Sequence, residues 1–197
     1  MIKKIIITGG LGYIGTELCK IYSGVSWHHK ITVIDNRFIS ERVNQIRNWN
    51  MEFVHGDILD KELVNKYFKD ADVVHHLAGI TQVPRTKSDS TSDKDEKIKL
   101  VGEEGTQNIL DSISDKCKII FPSTHVVYEG IEKVKNDIKE NEETKPVLSY
   151  SSSKAINEKQ LKESGKNYVI LRLGSVYGYS TDTTRIDIMP NLFSKIA

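Results

Sequence analysis

The segment Gly9–Gly15 constrains the fold of this chain more than any other. Its glycines stand at positions 9, 12 and 15, between an apolar run that ends at Thr8 and an amphipathic segment that begins at Tyr13. Glycine adopts backbone torsions that other residues resist, so the pattern predicts a tight turn from a strand into a helix. Such a turn lets the main chain approach a pyrophosphate, and the helix points its free N–H groups at the phosphates.

Asp35 supplies the second half of this pattern. It ends the next predicted strand, 20 residues after Gly15, where its carboxylate can accept hydrogen bonds from ribose hydroxyls. Turn and carboxylate together predict a dinucleotide cofactor. A carboxylate repels a 2′-phosphate, which favours NAD over NADP, and the nearby Arg37 weakens that preference. The cofactor-binding residues predicted in this part of the chain are Gly9, Gly12, Tyr13, Ile14, Gly15, Asp35, Asn36 and Arg37.

Short β-branched runs alternate with amphipathic segments of helical length along the chain. The predicted strands are Ile2–Thr8, Ile31–Ile34, Met51–His55, Asp72–Leu77, Lys118–Phe121 and Tyr168–Leu173. The predicted helices are Tyr13–Tyr22, with Ile14, Leu18 and Ile21 at helical spacing, Asp60–Phe68, a segment ending near Ser112, and Ser149–Ser164. This alternation predicts an α/β fold, a Rossmann-like doubly wound parallel sheet with helices on both faces.

Two segments of the chain break this alternation of strands and helices. Thr86–Lys99 is polar and is expected to be a loop that leads into the helix ending near Ser112. Glu129–Thr144 is highly charged; solvated surface is the favoured interpretation for both polar segments, and the edge of a ligand cleft is the alternative. Trp27 and Trp49 are expected to pack against the sheet edge.

Composition excludes several functional classes. The chain has 197 residues, with 28 Lys and Arg against 27 Asp and Glu, so no basic excess is available for nucleic acid. No stretch approaches the roughly 20 apolar residues of a membrane helix. Cys19 and Cys117 lie far apart in the sequence, so no disulfide framework is expected, and a reducing cytoplasm is the default setting. The six histidines match no zinc spacing, so no metal site is predicted.

Tyr150 and Lys154 stand four residues apart in a predicted helix and therefore share one face. A phenol has a pKa of about 10, and a neighbouring ammonium favours its ionised form. Tyr150 can then take a proton from a substrate hydroxyl while hydride leaves the same carbon. Thr124, with Ser123 beside it, ends the fifth strand at the edge where open α/β sheets bind ligands, and it would orient the reacting oxygen.

Further cofactor contacts are predicted at other strand ends. Asp57 follows the third strand and can reach the adenine amino group, although an ordinary loop or N-cap role explains it equally well. Ile58 would pack near the adenine ring. Leu77, Ala78 and Gly79 end the fourth strand and are small enough for a nicotinamide ribose to lie across them. Ser123, Tyr150 and Lys154 complete the predicted cofactor-binding set.

Together these motifs resemble the extended short-chain dehydrogenase/reductases, specifically the NAD-dependent epimerase/dehydratase group that acts on nucleotide sugars. The resemblance rests on TGGLGYIG (8–15), Asp35-Asn36, GDI (56–58), HHLAG (75–79), GTQNIL (105–110), PSTHVVYEG (122–130), SYSSSK (149–154) and LRLGSVYG (171–178). It implies tightly held NAD and a Ser/Thr–Tyr–Lys site. In that site Thr124 positions the sugar hydroxyl, Tyr150 is the acid/base, and Lys154 tunes Tyr150 and holds the ribose. A 4-epimerase of a UDP-hexose-like substrate is the activity this favours.

The chain departs from the family pattern at four places. Dehydratases place Asp-Glu directly after the Thr, whereas this chain has His125-Val126, which argues against 4,6-dehydratase chemistry; a structural role for His125 is preferred over a proton-transfer role. Gly102 and Ser175 replace asparagines that the family often has, and Tyr179 replaces a proline. Ser175 is the candidate substrate contact at its position.

Two alternatives to the epimerase stay open. The first is an NAD(P)-dependent reductase of a nucleotide-keto-sugar or other carbonyl. The second is a non-catalytic NAD(P)-binding regulator, against which Tyr150 and Lys154 argue. The resemblance also implies a homodimer formed through the 100–112 and 150–164 helices. It divides the chain into an NAD-binding domain, 1–173, and the start of a substrate-binding region, 174–197, which we expect to be incomplete because family members continue past the sixth strand.

Overall fold

The computed structural model describes residues 2–81, 91–181 and 189–196, apart from the side chain of Met189, and forms one sheet of six parallel strands between helices. The strands are β1 (Lys4–Thr8), β2 (Lys30–Asp35), β3 (Glu52–His55), β4 (Val73–His76), β5 (Lys118–Thr124) and β6 (Asn167–Leu173). The helices are α1 (Tyr13–Ser23), α2 (Ser40–Asn48), α3 (Lys61–Phe68), α4 (Ser92–Lys99), α5 (Gly105–Ser112), α6 (Ser149–Glu163) and α7 (Met189–Ile196). A π-helical turn, Leu100–Glu104, joins α4 to α5.

The strand order is β3-β2-β1-β4-β5-β6, so the winding direction reverses between β1 and β4. This confirms the predicted Rossmann-like sheet. Because every pair is parallel, the carboxyl ends of all strands meet at one edge. Open α/β sheets bind ligands at this edge, beside the point where the order reverses.

Strand β1 contributes to the core on both faces of the sheet. Ile5 and Ile7 pack in one buried cluster with Val33, and Ile6 packs in the other with Phe121. Successive side chains of a strand point to opposite faces, so a doubly covered strand must be apolar throughout. Full burial of each such side chain stabilises the fold by about 1.5–3 kcal/mol.

Helix α1 does not bury the apolar stripe that its sequence suggests. Ile14 is 37% exposed and Ile21 is 75% exposed, whereas Gly15, Thr16 and Cys19 form the buried face. The reason is the turn before the helix. A Cβ on Gly15 would lie only 2.2 Å from the carbonyl oxygen of Gly9, so the helix approaches the sheet through its smallest residues.

Two helix predictions were incomplete. Helix α2 was missed because only Val43 and Ile46 are buried in an otherwise polar segment, which leaves a weak period. Helix α4 begins at Ser92, inside the stretch predicted as a loop, and buries only Ile98. The part of that stretch before residue 91 lies outside the described residues. Glu129–Thr144 forms no regular helix or strand and is largely exposed, as expected for solvated surface.

Strand β6 and Trp27 are more exposed than predicted. As the edge strand of the described sheet, β6 leaves Leu171 43% exposed, although a doubly covered strand was expected. Trp27 is 75% exposed and does not pack against the sheet, so that prediction was wrong. Trp49 does pack against the cluster that contains Ile5 and Ile7. None of the described helices has the length and apolar character needed to cross a bilayer.

Candidate active site

The turn from β1 into α1 is held so closely that only glycine fits at its key positions. Gly9 has a φ of +66° and donates its N–H to the Ile34 carbonyl at 2.8 Å. A Cβ on Gly9 would lie 2.7 Å from the backbone nitrogen of Ala78. The turn is therefore wedged between β2 and the end of β4, which explains the glycines that the sequence analysis singled out.

The N-terminus of α1 leaves its N–H groups available to an anion. The N-cap residue, Gly12, has no side chain to bond them, and the first turn holds no acidic residue. An 11-residue helix also directs the positive end of its dipole at this point. A helix end of this kind suits the pyrophosphate of a dinucleotide, which is the role predicted for Gly12, Tyr13, Ile14 and Gly15.

The segment after β6 packs against this same helix end, which the sequence did not indicate. The Tyr13 hydroxyl donates to the Gly178 carbonyl at 2.5 Å and accepts from the Asn191 side-chain amide at 3.0 Å. The Ser180 hydroxyl donates to the Tyr13 carbonyl at 3.0 Å. Tyr13 thus links the glycine turn to residues more than 160 positions away in the chain.

Asp35, the predicted ribose contact, braces the glycine turn. Its carboxylate is 6% exposed and accepts hydrogen bonds from the N–H groups of Leu11 and Arg37, each at 2.9 Å. The Arg37 guanidinium pairs with the same carboxylate at 3.4 Å. Arg42, on the missed helix α2, adds a second brace by donating to the Leu11 carbonyl at 2.5 Å.

The residues after β3 divide between the surface and the core. The Asn36 amide donates to the Asp57 carboxylate at 2.9 Å, so these two predicted contacts lie together beside the end of β2. Ile58 is only 4% exposed and packs in the core against Gly105. Because the Ile58 side chain is buried in this core, it is not presented to an adenine ring. Only the backbone of Ile58 is left to contact the adenine.

His76, at the end of β4, fixes the loop Leu77–Gly79. Its two ring nitrogens each lie 3.0 Å from a threonine hydroxyl, that of Thr8 on one side and that of Thr106 on the other. The Thr8 hydroxyl also accepts the Ala78 N–H at 3.0 Å. Complete burial, helped by the nearby Lys154 charge, lowers the pKa of His76 to about 3, so the ring is neutral. Hydrogen bonds rather than charge hold this strand end in place.

Lys154 lies one helical turn after Tyr150 on α6, as predicted. Its ammonium donates to the Pro122 carbonyl at 2.9 Å and lies 4.3 Å from the centre of the Phe121 ring. The distance from the ammonium to the centre of the Tyr150 ring is 5.9 Å. Burial disfavours the charged form and lowers the pKa of Lys154 to about 8. The helix therefore presents a phenol and a readily titrated cation together.

A shallow cleft brings residues of the predicted cofactor loop, Leu77–Gly79, together with Tyr150 and Lys154 of the predicted catalytic helix. One wall is the loop after β4, and the other is the face of α6 with Tyr150 and Lys154. A Cβ on Gly79 would meet no atom within 4 Å, so the cleft has room beside this loop. The residues that line it are Leu77, Ala78, Gly79, Ile80, Thr81, Ile98, Gly102, Thr106, Tyr150, Ser153, Lys154 and Asn157.

The hydroxyl residues at the end of β5 have different surroundings. Thr124 is 8% exposed, and its hydroxyl accepts the Val126 N–H at 3.3 Å, capping the short 3₁₀ turn His125–Tyr128. The Ser123 hydroxyl donates to the buried Glu158 carboxylate at 2.6 Å. The hydrogen bond to Glu158 therefore directs the Ser123 side chain toward α6 and not toward the predicted cofactor.

Ser175 and His125 lie on the exposed side of the same sheet edge. Ser175 belongs to the exposed segment that follows β6. The Nδ1 atom of His125 lies 3.2 Å from the Leu173 carbonyl, which connects the ends of β5 and β6. This contact supports the structural role that was preferred for His125.

Gly102 explains one departure from the family pattern. A Cβ there would lie 2.2 Å from the Ser153 hydroxyl, so the glycine lets α6 pack closely against the π-helical turn. A π-helical turn leaves carbonyls without their usual helical partners. Asn157 donates to the Gly102 carbonyl and Gln160 to the Glu103 carbonyl, each at 3.0 Å. Both donors come from α6, which carries Tyr150.

Glu129 is a site residue that sequence reasoning missed. Its carboxylate accepts the N–H groups of Val147 and Leu148, each at 2.7 Å, together with the Ser151 hydroxyl. Partial burial alone would raise the pKa of Glu129, but these hydrogen bonds outweigh it and the pKa is lowered. Glu129, 18 positions before Val147, thus organises the segment that leads into α6, and no sequence signal links the two. Among the described residues, no three His, Cys, Asp or Glu side chains cluster so as to hold a metal ion.

Comparisons with known proteins agree with this geometry. A sequence profile of the NAD dependent epimerase/dehydratase family matches residues 5–197. The dTDP-D-glucose 4,6-dehydratase of Dictyostelium discoideum is 30% identical over 198 residues, which cover 90% of this chain and 44% of that protein. The chain spans 38–48% of the length of the curated relatives considered.

Two solved structures are similar over nearly the whole chain. The UDP-N-acetylglucosamine 4-epimerase of Methanobrevibacter ruminantium M1, in complex with UDP-N-acetylmuramic acid, is 27% identical with a TM-score of 0.78; the match covers 99% of this chain and 63% of that one. The UDP-glucose 4-epimerase of Brucella ovis, in complex with NAD, is 27% identical with a TM-score of 0.72; the match covers 92% and 55%.

Proposed function

The chain belongs to the NAD-dependent epimerase/dehydratase family, and on that basis we propose that it binds NAD and interconverts the C4 epimers of a nucleotide sugar. The observation that carries the proposal is the shared cleft. Tyr150 and Lys154 line it together with Ala78 and Gly79, and the backbone of Ala78 packs against Gly9 of the glycine turn. The similarity to a UDP-N-acetylglucosamine 4-epimerase and to a UDP-glucose 4-epimerase with NAD supports the substrate class and the cofactor.

The residues of the glycine turn fit a dinucleotide. Gly9 and Gly15 have no room for a side chain, and Gly12 leaves the N-terminus of α1 open, so backbone N–H groups would hold the pyrophosphate. Asp35 would accept the hydroxyls of the adenine-side ribose with the lone pairs that its present partners leave over. Lys154 would reach the second ribose. NAD, when bound, takes up a hydride from the sugar and returns it.

Tyr150 performs the proton chemistry in this proposal. The Lys154 ammonium, 5.9 Å from the centre of the phenol ring, favours the phenolate. The phenolate accepts the proton of the C4 hydroxyl, and the phenol gives it back when the sugar is reduced on its other face. Thr124, held at the end of β5, orients the C4 oxygen between these steps. Ser175 would contact the sugar from the segment after β6.

Identification of the released nucleotide tests the cofactor directly. We expect purified protein, once denatured, to release NAD that mass spectrometry identifies. Calorimetric titration of cofactor-free protein should give tighter binding for NAD than for NADP. Absence of both a released nucleotide and a heat of binding would contradict the proposal.

Arg37 favours a second candidate, an NADPH-dependent reductase of a nucleotide-keto-sugar. Its guanidinium lies beside Asp35, and a Cβ on Gly12 would be 3.7 Å from one of its nitrogens, so a cation stands where a 2′-phosphate could bind. Stoichiometric oxidation of NADPH with a keto-sugar would identify the reductase. Interconversion of sugars without net change in NAD would identify the epimerase.

The proposal extends to organisation and location. We assign residues 1–173 to the NAD-binding domain and 174–197 to the start of the substrate-binding region. A homodimer through the helices around Leu100 and Ile156 is proposed, since these side chains are 42% and 39% exposed. Light scattering should then give twice the monomer mass. A cytoplasmic location is proposed because Cys19 and Cys117 are buried free thiols.

A further inference from the structure

Glu158 is a buried charge that the proposed reaction does not use. It lies on α6 one helical turn beyond Lys154 and two beyond Tyr150, on the same face, and is only 2% exposed. Burying an unpaired carboxylate is costly, so its partners must compensate it. They are the Ser123 hydroxyl at 2.6 Å, Arg172 Nε at 2.9 Å, Arg172 Nη2 at 2.6 Å and Lys162 Nζ at 3.5 Å.

These partners join three elements at one carboxylate. Ser123 belongs to β5 and Arg172 to β6, and the two residues are paired in the register of the sheet. Arg172 donates two parallel N–H groups to the two carboxylate oxygens, a bidentate geometry that fixes the orientation of the carboxylate. Arg172 of β6 therefore fixes the orientation of the Glu158 carboxylate. That carboxylate in turn holds the hydroxyl of Ser123, the residue immediately before Thr124.

Consecutive residues of β5 are bound by consecutive turns of α6. Lys154 donates to the Pro122 carbonyl at 2.9 Å, and Glu158 accepts the Ser123 hydroxyl at 2.6 Å. Two bonds one turn apart prevent the helix from sliding or rotating against the strand end. A displacement of about 1 Å between reacting groups can cost a hundredfold in rate, so this alignment matters for chemistry.

We propose that Glu158 is a positioning residue, which through Ser123 holds the end of β5, and with it Thr124, in place against α6, the helix that carries Tyr150 and Lys154. This proposal rests on the proposed function, because it assigns these three residues to one reaction. Glu158 itself touches neither substrate nor cofactor in this account. Its contribution is the relative placement of a hydroxyl on a strand and a phenol on a helix.

The variant Ser123→Ala tests the proposal with a small change, because it removes only the hydroxyl group. It removes one hydrogen bond and leaves Glu158 paired with Arg172 and Lys162, so the fold should persist. We expect kcat to fall roughly tenfold to a hundredfold while the KM for the sugar and the affinity for NAD change less than about twofold. Lys162→Met is the matched control: it also removes one partner of Glu158, from a side chain that is 51% exposed, and should leave kcat unchanged.

A second measurement does not depend on turnover. If the bond between Ser123 and Glu158 holds α6 against β5, Ser123→Ala will admit water to Lys154 and raise its pKa from about 8 toward 10.5. Titration of the lysine by NMR reports this shift. The neighbouring charges of Glu158, Arg172 and Lys162 stay the same in this variant, and His76 stays neutral. In the control variant Lys162→Met, the pKa of Lys154 should remain at about 8.

The outcomes separate the two proposals. In an active parent, a kcat equal to the parent's in Ser123→Ala overturns the positioning role, even if the variant melts at a lower temperature. If the parent converts no nucleotide sugar, the proposed function fails, and the Lys154 titration alone decides: a raised pKa supports the positioning role and an unchanged pKa overturns it.

Discussion

The Lys154 ammonium donates a 2.9 Å hydrogen bond to the carbonyl of Pro122, two residues before Thr124. This bond joins the predicted acid/base helix to the strand that carries the predicted orienting hydroxyl. The carbonyl compensates the ammonium only in part for the water that burial removes, and the pKa of Lys154 is therefore lowered. The first prediction follows from that burial.

Lys154 should titrate at about pH 8, well below its usual value of 10.5. Burial makes the folded chain release this proton before the unfolded chain does, so the free energy of unfolding rises with pH between these two values. Competitive amine labelling read by mass spectrometry measures the titration. The exposed Lys159 is the internal control for the labelling reaction, and a Lys154 that titrates at its usual value of 10.5 would contradict the assigned burial.

His76 should make the fold sensitive to acid. Its pKa is about 3 in the folded chain against 6.5 ordinarily, so between these values the unfolded chain binds a proton that the folded chain does not. The free energy of unfolding must therefore fall as the pH drops through this window, by at most about 1.4 kcal/mol per pH unit from this group. Urea unfolding across the window measures it, and His75, whose pKa is also lowered by burial, adds to the same trend.

The variant His76→Asn isolates that contribution. It should flatten the pH dependence and, by leaving the hydroxyls of Thr8 and Thr106 without their partner, lower stability at neutral pH by about 1–3 kcal/mol. His28→Asn, at an exposed position, should keep the parent's slope. Equal slopes in the parent and in His76→Asn would count against this assignment.

Gly15→Ala should disrupt the glycine turn. The added Cβ would lie 2.2 Å from the Gly9 carbonyl, so the turn must shift, at a cost of about 1–3 kcal/mol, and NAD binding should be lost. Gly24→Ala, at the other end of α1, is the matched control because its Cβ would lie 3.8 Å from the nearest atom and its φ is −67°. We expect that variant to be as stable as the parent or slightly more stable. Calorimetric titration measures the affinity of both variants for NAD. Equal affinities would refute the role of Gly15.

Tyr13 and Asn191 should be energetically coupled. The hydrogen bond between them, 3.0 Å long, links the glycine turn to α7. Tyr13→Phe and Asn191→Ala should each cost about 1 kcal/mol, and the double variant should cost less than their sum by about 0.5 kcal/mol or more. Denaturant unfolding completes the cycle. Tyr177→Phe, at a side chain that is 66% exposed, should instead be additive with Asn191→Ala, and additivity in both pairs would refute the coupling.

Local patterns predicted much of the fold and part of the site. The alternation of apolar runs and amphipathic segments placed all six strands of the described sheet, and the glycine spacing placed the turn, because both signals are local in sequence. The shared cleft followed from them, since parallel strands end at one edge. Helix α2 could not be found, because Val43 and Ile46 are too few to mark a period.

Contacts between distant segments escaped prediction. Ser123 was assigned to the cofactor, but its hydroxyl donates a hydrogen bond to the carboxylate of Glu158, 35 residues later in the chain. Ile58 was assigned to the adenine ring, but its side chain packs in the core, in space that Gly105 leaves because it has no side chain. Glu129 was taken as part of a solvated loop, yet it bonds the start of α6. Each depends on where α5 or α6 packs, which no local pattern specifies.

The fate of a deuterium label at C4 of a UDP-hexose tests the central claim most directly. If hydride moves from the sugar to bound NAD and returns, with Tyr150 handling the proton, the C4 epimer formed by the purified protein must keep its deuterium, and Tyr150→Phe must lose most of its turnover. Product that has exchanged its C4 deuterium for solvent hydrogen, or a Tyr150→Phe variant with the parent's rate, would contradict the account.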